Sequence, residues 1–140
     1  MQISQRISES FNRQGYLETI GARLTKVEIG EIEIELETDQ KLTQQHGYVH
    51  GAVVAAIGDT ACGYAALTMM PEGSEVVSVE YKINFLAPAQ GEKIIARGRT
   101  IKPGRTLTVC QGDVFAVSEA GEKLVATILA TMMRVRGEQE

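Results

Sequence analysis

The sequence predicts an α+β fold, a curved antiparallel β-sheet wrapped around one long central α-helix, and two observations predict it. One is the stretch from Gly51 to Met70, where small and apolar residues surround a single formal charge, Asp59. A helix apolar on all sides belongs in a core or a membrane. The other is a set of segments with two-residue periodicity, separated by turns containing Gly or Pro; such segments read as strands. An Ala- and Gly-rich helix takes little room, so a sheet can close around it. With 140 residues, the chain suits one domain with a full core and is too short for two ordinary ones.

Taken in order, Ile3, Ile7 and Phe11 stand four apart and give one apolar face to an N-terminal helix within residues 1–14, which Gly15 is expected to break. From Ala22 the period becomes two. Leu24, Val27 and Ile29 precede a bend at Gly30, and then Ile32, Ile34 and Leu36 alternate with Glu31, Glu33, Glu35 and Glu37. That glutamate row reads as the solvated face of a strand and not as a metal or acidic-substrate site. Residues 39–49 form a polar connection into the helix of residues 51–70, which Pro71-Glu72-Gly73 stops. Residues 75–86, 92–101, 105–117 and 122–135 all read as strands. Short links join the last three, so an antiparallel meander is expected. A polar tail, 136–140, closes the single domain of 1–140.

Charge and cysteine content narrow the class. A net charge of −4 and a pI near 5.3 repel nucleic acid and anionic membranes in bulk. Cys62 and Cys110 are too few for a disulfide framework or a zinc ribbon, and fit a reduced cytoplasmic core. The start of the chain lacks the basic-then-apolar pattern of a signal peptide. Residues 51–70 could span a bilayer by length, but their Ala and Gly content and central Asp59 argue against it. No membrane partner is expected.

Candidate chemistry gathers on the helix. Tyr48, Val49, His50 and Gly51 include none of the Ser, Thr, Asp or Asn residues that commonly cap a helix start. An open N-terminus is a ready oxyanion site. Asp59 is costly in an apolar helix unless it is paired, neutralised or used. Eight residues separate it from Gly51, about 12 Å along a helix axis. One reacting carbonyl cannot lie within hydrogen-bond reach of both in one chain. Two antiparallel copies of the helix across a two-fold axis would bring one chain's Asp59 to its partner's Gly51. An obligate homodimer is therefore expected if both residues act on one substrate.

The order Gln44, His50-Gly51, Asp59, followed by Ser78-Val79-Glu80-Tyr81-Lys82-Ile83-Asn84-Phe85-Leu86-Ala87-Pro88, resembles the hotdog-fold acyl-CoA thioesterases. Within that superfamily it is most similar to the phenylacetyl-CoA thioesterase-like branch, over residues 15 to 135. The resemblance implies hydrolysis of small or medium acyl- or aryl-CoA thioesters, with no metal and no cofactor beyond the CoA of the substrate. It implies that Asp59 attacks the thioester or activates water, and that the Gly51 N–H polarises the thioester oxygen. Gln44 matches a loop residue that orients nucleophile or thioester, and Ser78 a polar position near the acid. His50 is expected to brace the helix start through backbone. Tyr64 and Asn84 are expected at the acyl group, and Lys102, Gly104 and Arg105 at the CoA phosphates. The homodimer expected from the spacing agrees with the resemblance, and further pairing into a homotetramer is expected, although the sequence leaves dimer against tetramer open.

The pattern departs from the family in places. Ala52 stands where a second Gly is usual, Ala87 where an Arg is usual, and Tyr64 where related hydratases carry His. A non-catalytic acyl-CoA-binding module is the competing expectation, although a binder has no need of Asp59. Cys62, three residues after Asp59, reads as a packed thiol because no base neighbours it. His46 and His50 lack the further ligands of a zinc site. Arg97, Arg99, Lys102 and Arg105 form the densest basic cluster, open to solvation or to phosphate.

Overall fold

The computed structural model describes residues 1–137. Two helices, α1 (Ile3–Asn12) and α2 (Gly15–Ile20), precede strands β1 (Arg23–Glu28) and β2 (Glu31–Glu37). A short 3-10 turn, Gln40–Leu42, leads to the long helix α3 (Gly51–Leu67), and β3 (Ser74–Phe85), β4 (Lys93–Lys102), β5 (Leu107–Ser118) and β6 (Gly121–Arg136) follow. The strands form one antiparallel sheet in the order β1-β2-β4-β5-β6-β3. β4, β5 and β6 are the expected meander. β3, which follows α3, crosses to the far edge beside β6.

The helix packs against β2, β3, β4, β5 and β6, and Val54, Ile57, Ala61, Cys62, Ala65 and Ala66 are almost wholly buried. Two glycines facing each other across β4 and β5, Gly98 and Gly112, make the close approach possible. A Cβ built on Gly98 would lie 2.5 Å from the Ala61 carbonyl, and one on Gly112 would lie 3.0 Å from Cys62 Sγ. Any side chain at Gly98 would push the helix off the sheet. On β2, Ile32, Ile34 and Leu36 are buried while Glu33 and Glu35 face outward into ion pairs with Arg97, Arg23 and Lys93, so the alternating row is a strand face as expected.

The end of α3 is tied down by distant residues. Arg6 of α1 donates to the carbonyls of Leu67, Met70 and Pro71, a cation on the orphan acceptors at a helix C-terminus. Thr68 Oγ1 donates to the Ala65 carbonyl and accepts the Gly30 N–H, both at 2.7 Å. Helix geometry therefore stops at Leu67 and not at Met70, where the apolar run ends; residues 68–70 form a turn.

Two further expectations change. Gly15 does not end helical structure: it opens α2, whose Leu17 and Ile20 are buried and whose C-cap Gly21 is left-handed, φ 76°. Burial of that apolar pair overrides the poor propensity of Gly. The expected tail loses its first residues to order, since β6 runs through Arg136 and the Gly137 N–H bonds the Gly73 carbonyl; residues 138–140 lie outside the described residues. No helix among those described is long and apolar enough to cross a membrane.

Candidate active site

Asp59 sits half-buried in the middle of α3 and opens on a cavity of about 390 Å³. Its Oδ1 accepts a 2.7 Å hydrogen bond from Ser78 Oγ. A β-bulge makes that contact. The β3–β6 register slips at Val79, between Ser78 and Glu80. Ser78 lies opposite the buried Met132, and beyond the slip Tyr81, Ile83 and Phe85 lie opposite the buried Ala130, Ile128 and Ala126. Opposed residues share a face, so Ser78 and Phe85 both face the helix despite seven positions between them. Uninterrupted alternation would have sent one of them outward.

Burial raises the Asp59 carboxyl above its ordinary value of 3.8, and the Ser78 hydrogen bond takes back part of that rise. Among the described residues one hydroxyl donates to the carboxylate and no cation pairs with it, a basic state for an aspartate. Cys62, one turn on, is wholly buried, and burial pushes its thiol far up. Burial likewise lifts the Cys110 thiol to about 11. Neither offers a thiolate.

The start of α3 borders a different cavity of about 450 Å³, lined by Gln44, Tyr48, Gly51, Val54, Phe85 and the turn after it. It is less open than the sequence suggests, because His50 Nδ1 accepts the Ala52 N–H at 2.9 Å. The expectation of an uncapped start is corrected there: an imidazole acceptor does what Ser or Asp commonly does. The Gly51 N–H has no acceptor among the described residues. A Cβ on Gly51 would come within 3.2 Å of the Phe85 ring, which would have to shift to admit it. Gln44 holds the loop before the helix, its Oε1 accepting the N–H groups of His46 (2.6 Å) and Tyr48 (3.2 Å).

The expected site residues thus fall into two groups within one chain. Asp59, Ser78 and Tyr64 share one cavity, while Gly51 and Gln44 share the other. Neither cavity contains both the carboxylate and the open N–H. The β4–β5 hairpin that carries Lys102, Gly104 and Arg105 lies at the Asp59 end, since Leu107 pairs with Met133, which in turn pairs with Val77. Asn84, expected at the acyl group, lies elsewhere in this chain. Past the bulge it pairs with Thr127 on the outer face of the sheet, where Thr127 bonds Asp113, and it borders neither cavity.

The basic cluster disperses as well. Arg97 is held by Glu122 and Glu33 and lies 4.9 Å over the Phe115 ring, and Arg99 bonds Gln111. Two groups escaped notice in the sequence. Ser10 and Gln14, from α1 and the link after it, reach the Asp59 cavity through Tyr64; only a polar face on α1 could have hinted at them. Phe85 was visible in the strand motif, but its place over Gly51 depends on the bulge.

A family model described as the thioesterase superfamily matches residues 46–122. A solved structure of a thioesterase family protein from Silicibacter pomeroyi is 42% identical with a TM-score of 0.95, over 97% of this chain and 100% of that one. The chain is 28% identical to a 1,4-dihydroxy-2-naphthoyl-CoA hydrolase of Listeria monocytogenes, over 84% of its length and 94% of the relative's. It is 30% identical to human acyl-coenzyme A thioesterase 13, over 69% of the chain and 68% of that protein. The hotdog fold expected from the motif is the fold of these neighbours.

Proposed function

The chain belongs to the thioesterase superfamily, and from that premise we propose that it hydrolyses small or medium acyl- or aryl-CoA thioesters to the free acid and CoA. The site is shared between two protomers. Asp59 of one takes a proton from water as the water oxygen attacks the thioester carbonyl, or attacks that carbonyl itself. The partner's Gly51 N–H receives the negative charge that develops on the carbonyl oxygen. The C–S bond then breaks, and the CoA thiolate leaves and is protonated; where Asp59 itself attacked, water then hydrolyses the acyl–Asp59 anhydride to free acid and restores the carboxylate. Ser78 holds Asp59 in line, Gln44 and His50 hold the loop and helix start, and the Lys102–Arg105 hairpin meets the CoA phosphates.

The observation that carries the two-chain site is the separation of its halves: a raised carboxylate in one cavity and an open N–H in another. The edge strand β3 supports a homodimer. Along that edge Val77, Val79 and Tyr81, on the two faces of the strand and at its bulge, are each 42–53% exposed, an apolar edge that natural sheets rarely leave bare. Further pairing into a homotetramer is supported by Leu107 and Leu129, each 50% exposed on the outer face. Two free, buried thiols support a cytoplasmic location.

Mixed dimers test the shared site. Asp59→Ala removes the carboxylate. Gly51→Pro removes the N–H at a position whose backbone accepts proline, because His50 before it already holds the extended φ −58°, ψ 136° that proline requires, and its ring carbons also press on Phe85. Each variant alone should be nearly inactive. Random exchange should restore about a quarter of wild-type activity, because half the dimers then hold one intact site of two. No recovery after verified exchange would sink the shared site.

A further inference from the structure

The Ser78 hydroxyl has two acceptors within reach and one proton to give. Its Oγ lies 2.7 Å from Asp59 Oδ1 and 3.4 Å from Met132 Sδ. A hydroxyl donates to one acceptor at a time, while its own lone pairs can accept. Packing fixes the place of the sulfur. Met132 is wholly buried, stands opposite Ser78 across the β3–β6 ladder and lies against α3, where a Cβ built on Gly63 would be 3.9 Å from Sδ. Methionine in a core commonly fills space and no more. Here its one polar atom touches the hydroxyl that holds the candidate base.

The two contacts suit two states of Asp59. While the carboxyl is ionised, the Ser78 proton belongs on it, because a charged oxygen is a far better acceptor than a thioether. Once a proton settles on Oδ1, that oxygen becomes a donor. Ser78 Oγ can accept from it only if its own proton turns away, and Met132 Sδ is the acceptor on that other side. A leucine of similar volume would offer nothing there.

We propose that Met132 is a positioning residue for the reaction: its sulfur takes the Ser78 proton when Asp59 is protonated, so that Ser78 turns from donor to acceptor and steadies the carboxyl while it holds the proton drawn from water. This rests on the thioesterase reading above, with Asp59 as base. One proton passes from the water oxygen to Asp59 Oδ1; Ser78 keeps its own, which swings from Asp59 to the sulfur. A hydrogen bond available only to the protonated carboxyl makes Asp59 a stronger base. The charged and titratable groups around the cavity are Arg13 after α1, Glu75 on β3 and Tyr64 on α3, with Cys62 buried one turn on from Asp59. None of them shares a hydrogen bond with Asp59 among the described residues, and none is changed in the variants that follow.

The Asp59 carboxyl would be followed by NMR across pH in protein labelled with carbon-13 aspartate, its resonance among those of Asp39, Asp59 and Asp113 assigned by its loss in Asp59→Asn. Met132→Leu, a swap that cores tolerate well, should make the carboxyl titrate lower, by about threefold in its proton affinity or about 0.5 in pH, the effect of one weak hydrogen bond. Ser78→Ala should move it the other way. The double variant should titrate with Ser78→Ala alone, because the sulfur acts through Ser78. No change or a rise in Met132→Leu overturns the proposal, as does an equal fall in the Ser78→Ala background, which would mark an effect of packing on the cavity. The titration needs no substrate, so the two readings part cleanly. The expected shifts in a protein that hydrolyses no acyl-CoA would overturn the thioesterase reading and keep the sulfur's effect on Asp59. Active enzyme whose acidic limb of kcat/KM does not move in Met132→Leu would overturn the role of Met132 and leave the hydrolase.

Discussion

The two cavities along α3 differ in almost every respect. At Asp59 the helix presents a half-buried carboxylate, a hydroxyl donor and a polar far wall. At Gly51 it presents a bare N–H beneath an aromatic ring. One holds the carboxylate without the open N–H, and the other the N–H without a carboxylate. The same helix therefore carries these two groups about 12 Å apart, and their difference is what the proposed pairing of two chains would reconcile. The fold supplies the halves by different devices: a bulge in β3 for the first, an imidazole cap that spares the Gly51 N–H for the second.

The largest expected break falls on the Asp59 side. Asp59→Asn should lower kcat about 10²–10⁴-fold, the range for a positioned acid–base group, in steady-state assays on any acyl-CoA the wild type hydrolyses. It should also raise Tm at neutral pH. A carboxyl whose folded value lies above 3.8 contributes stability below that value and loses it as pH rises through the folded one. The gap in Tm between variant and wild type should therefore open above the unfolded value and close near pH 3, as scanning calorimetry at both pH values would reveal.

On the other side, Gly51→Ala keeps the N–H but sets a methyl against Phe85. A misplaced oxyanion donor costs up to about 10²–10³-fold in kcat. Adding Phe85→Ala should recover part of that loss, which a role for Gly51 in the turn alone does not predict. Equal losses in single and double variants would remove Phe85 from the account.

Between the cavities lies the glycine seat. Gly98→Ala should destabilise by about 1–3 kcal/mol through overpacking against the Ala61 backbone, measured by urea unfolding. It should leave the pH profile in place, because it moves the helix and not the carboxylate's partner. Ser78→Ala should do the reverse. Losing the hydroxyl donor raises the Asp59 carboxyl further, so the acidic limb of the kcat/KM profile moves to higher pH. A limb that stays put or falls would mean Ser78 does not act through Asp59.

Much of this was legible in the residues. The alternation of Ile32, Ile34 and Leu36 with glutamates, the four later strands and the apolar helix all follow from periods of two and from composition. α2 was not, because Gly15 reads as a breaker and six residues are too few to carry a periodic signal. The place of Asn84 was hidden for a more instructive reason. Its face depends on a bulge five residues earlier, and a strand sequence carries no mark of where its ladder slips. Ser10 and Gln14 were invisible because their partner, Tyr64, lies 50 or more residues away.

By itself the sequence determined the helix, its lone carboxylate, the strand faces and the spacing that parts Asp59 from Gly51, since these depend on local periodicity and a fixed rise per residue. Only the tertiary structure decided which residues meet Asp59, what lies over Gly51 and which polar groups close the far wall. Those contacts join residues distant in the chain through bulges, caps and close backbone approaches. Packing sets their geometry, and no local pattern encodes it.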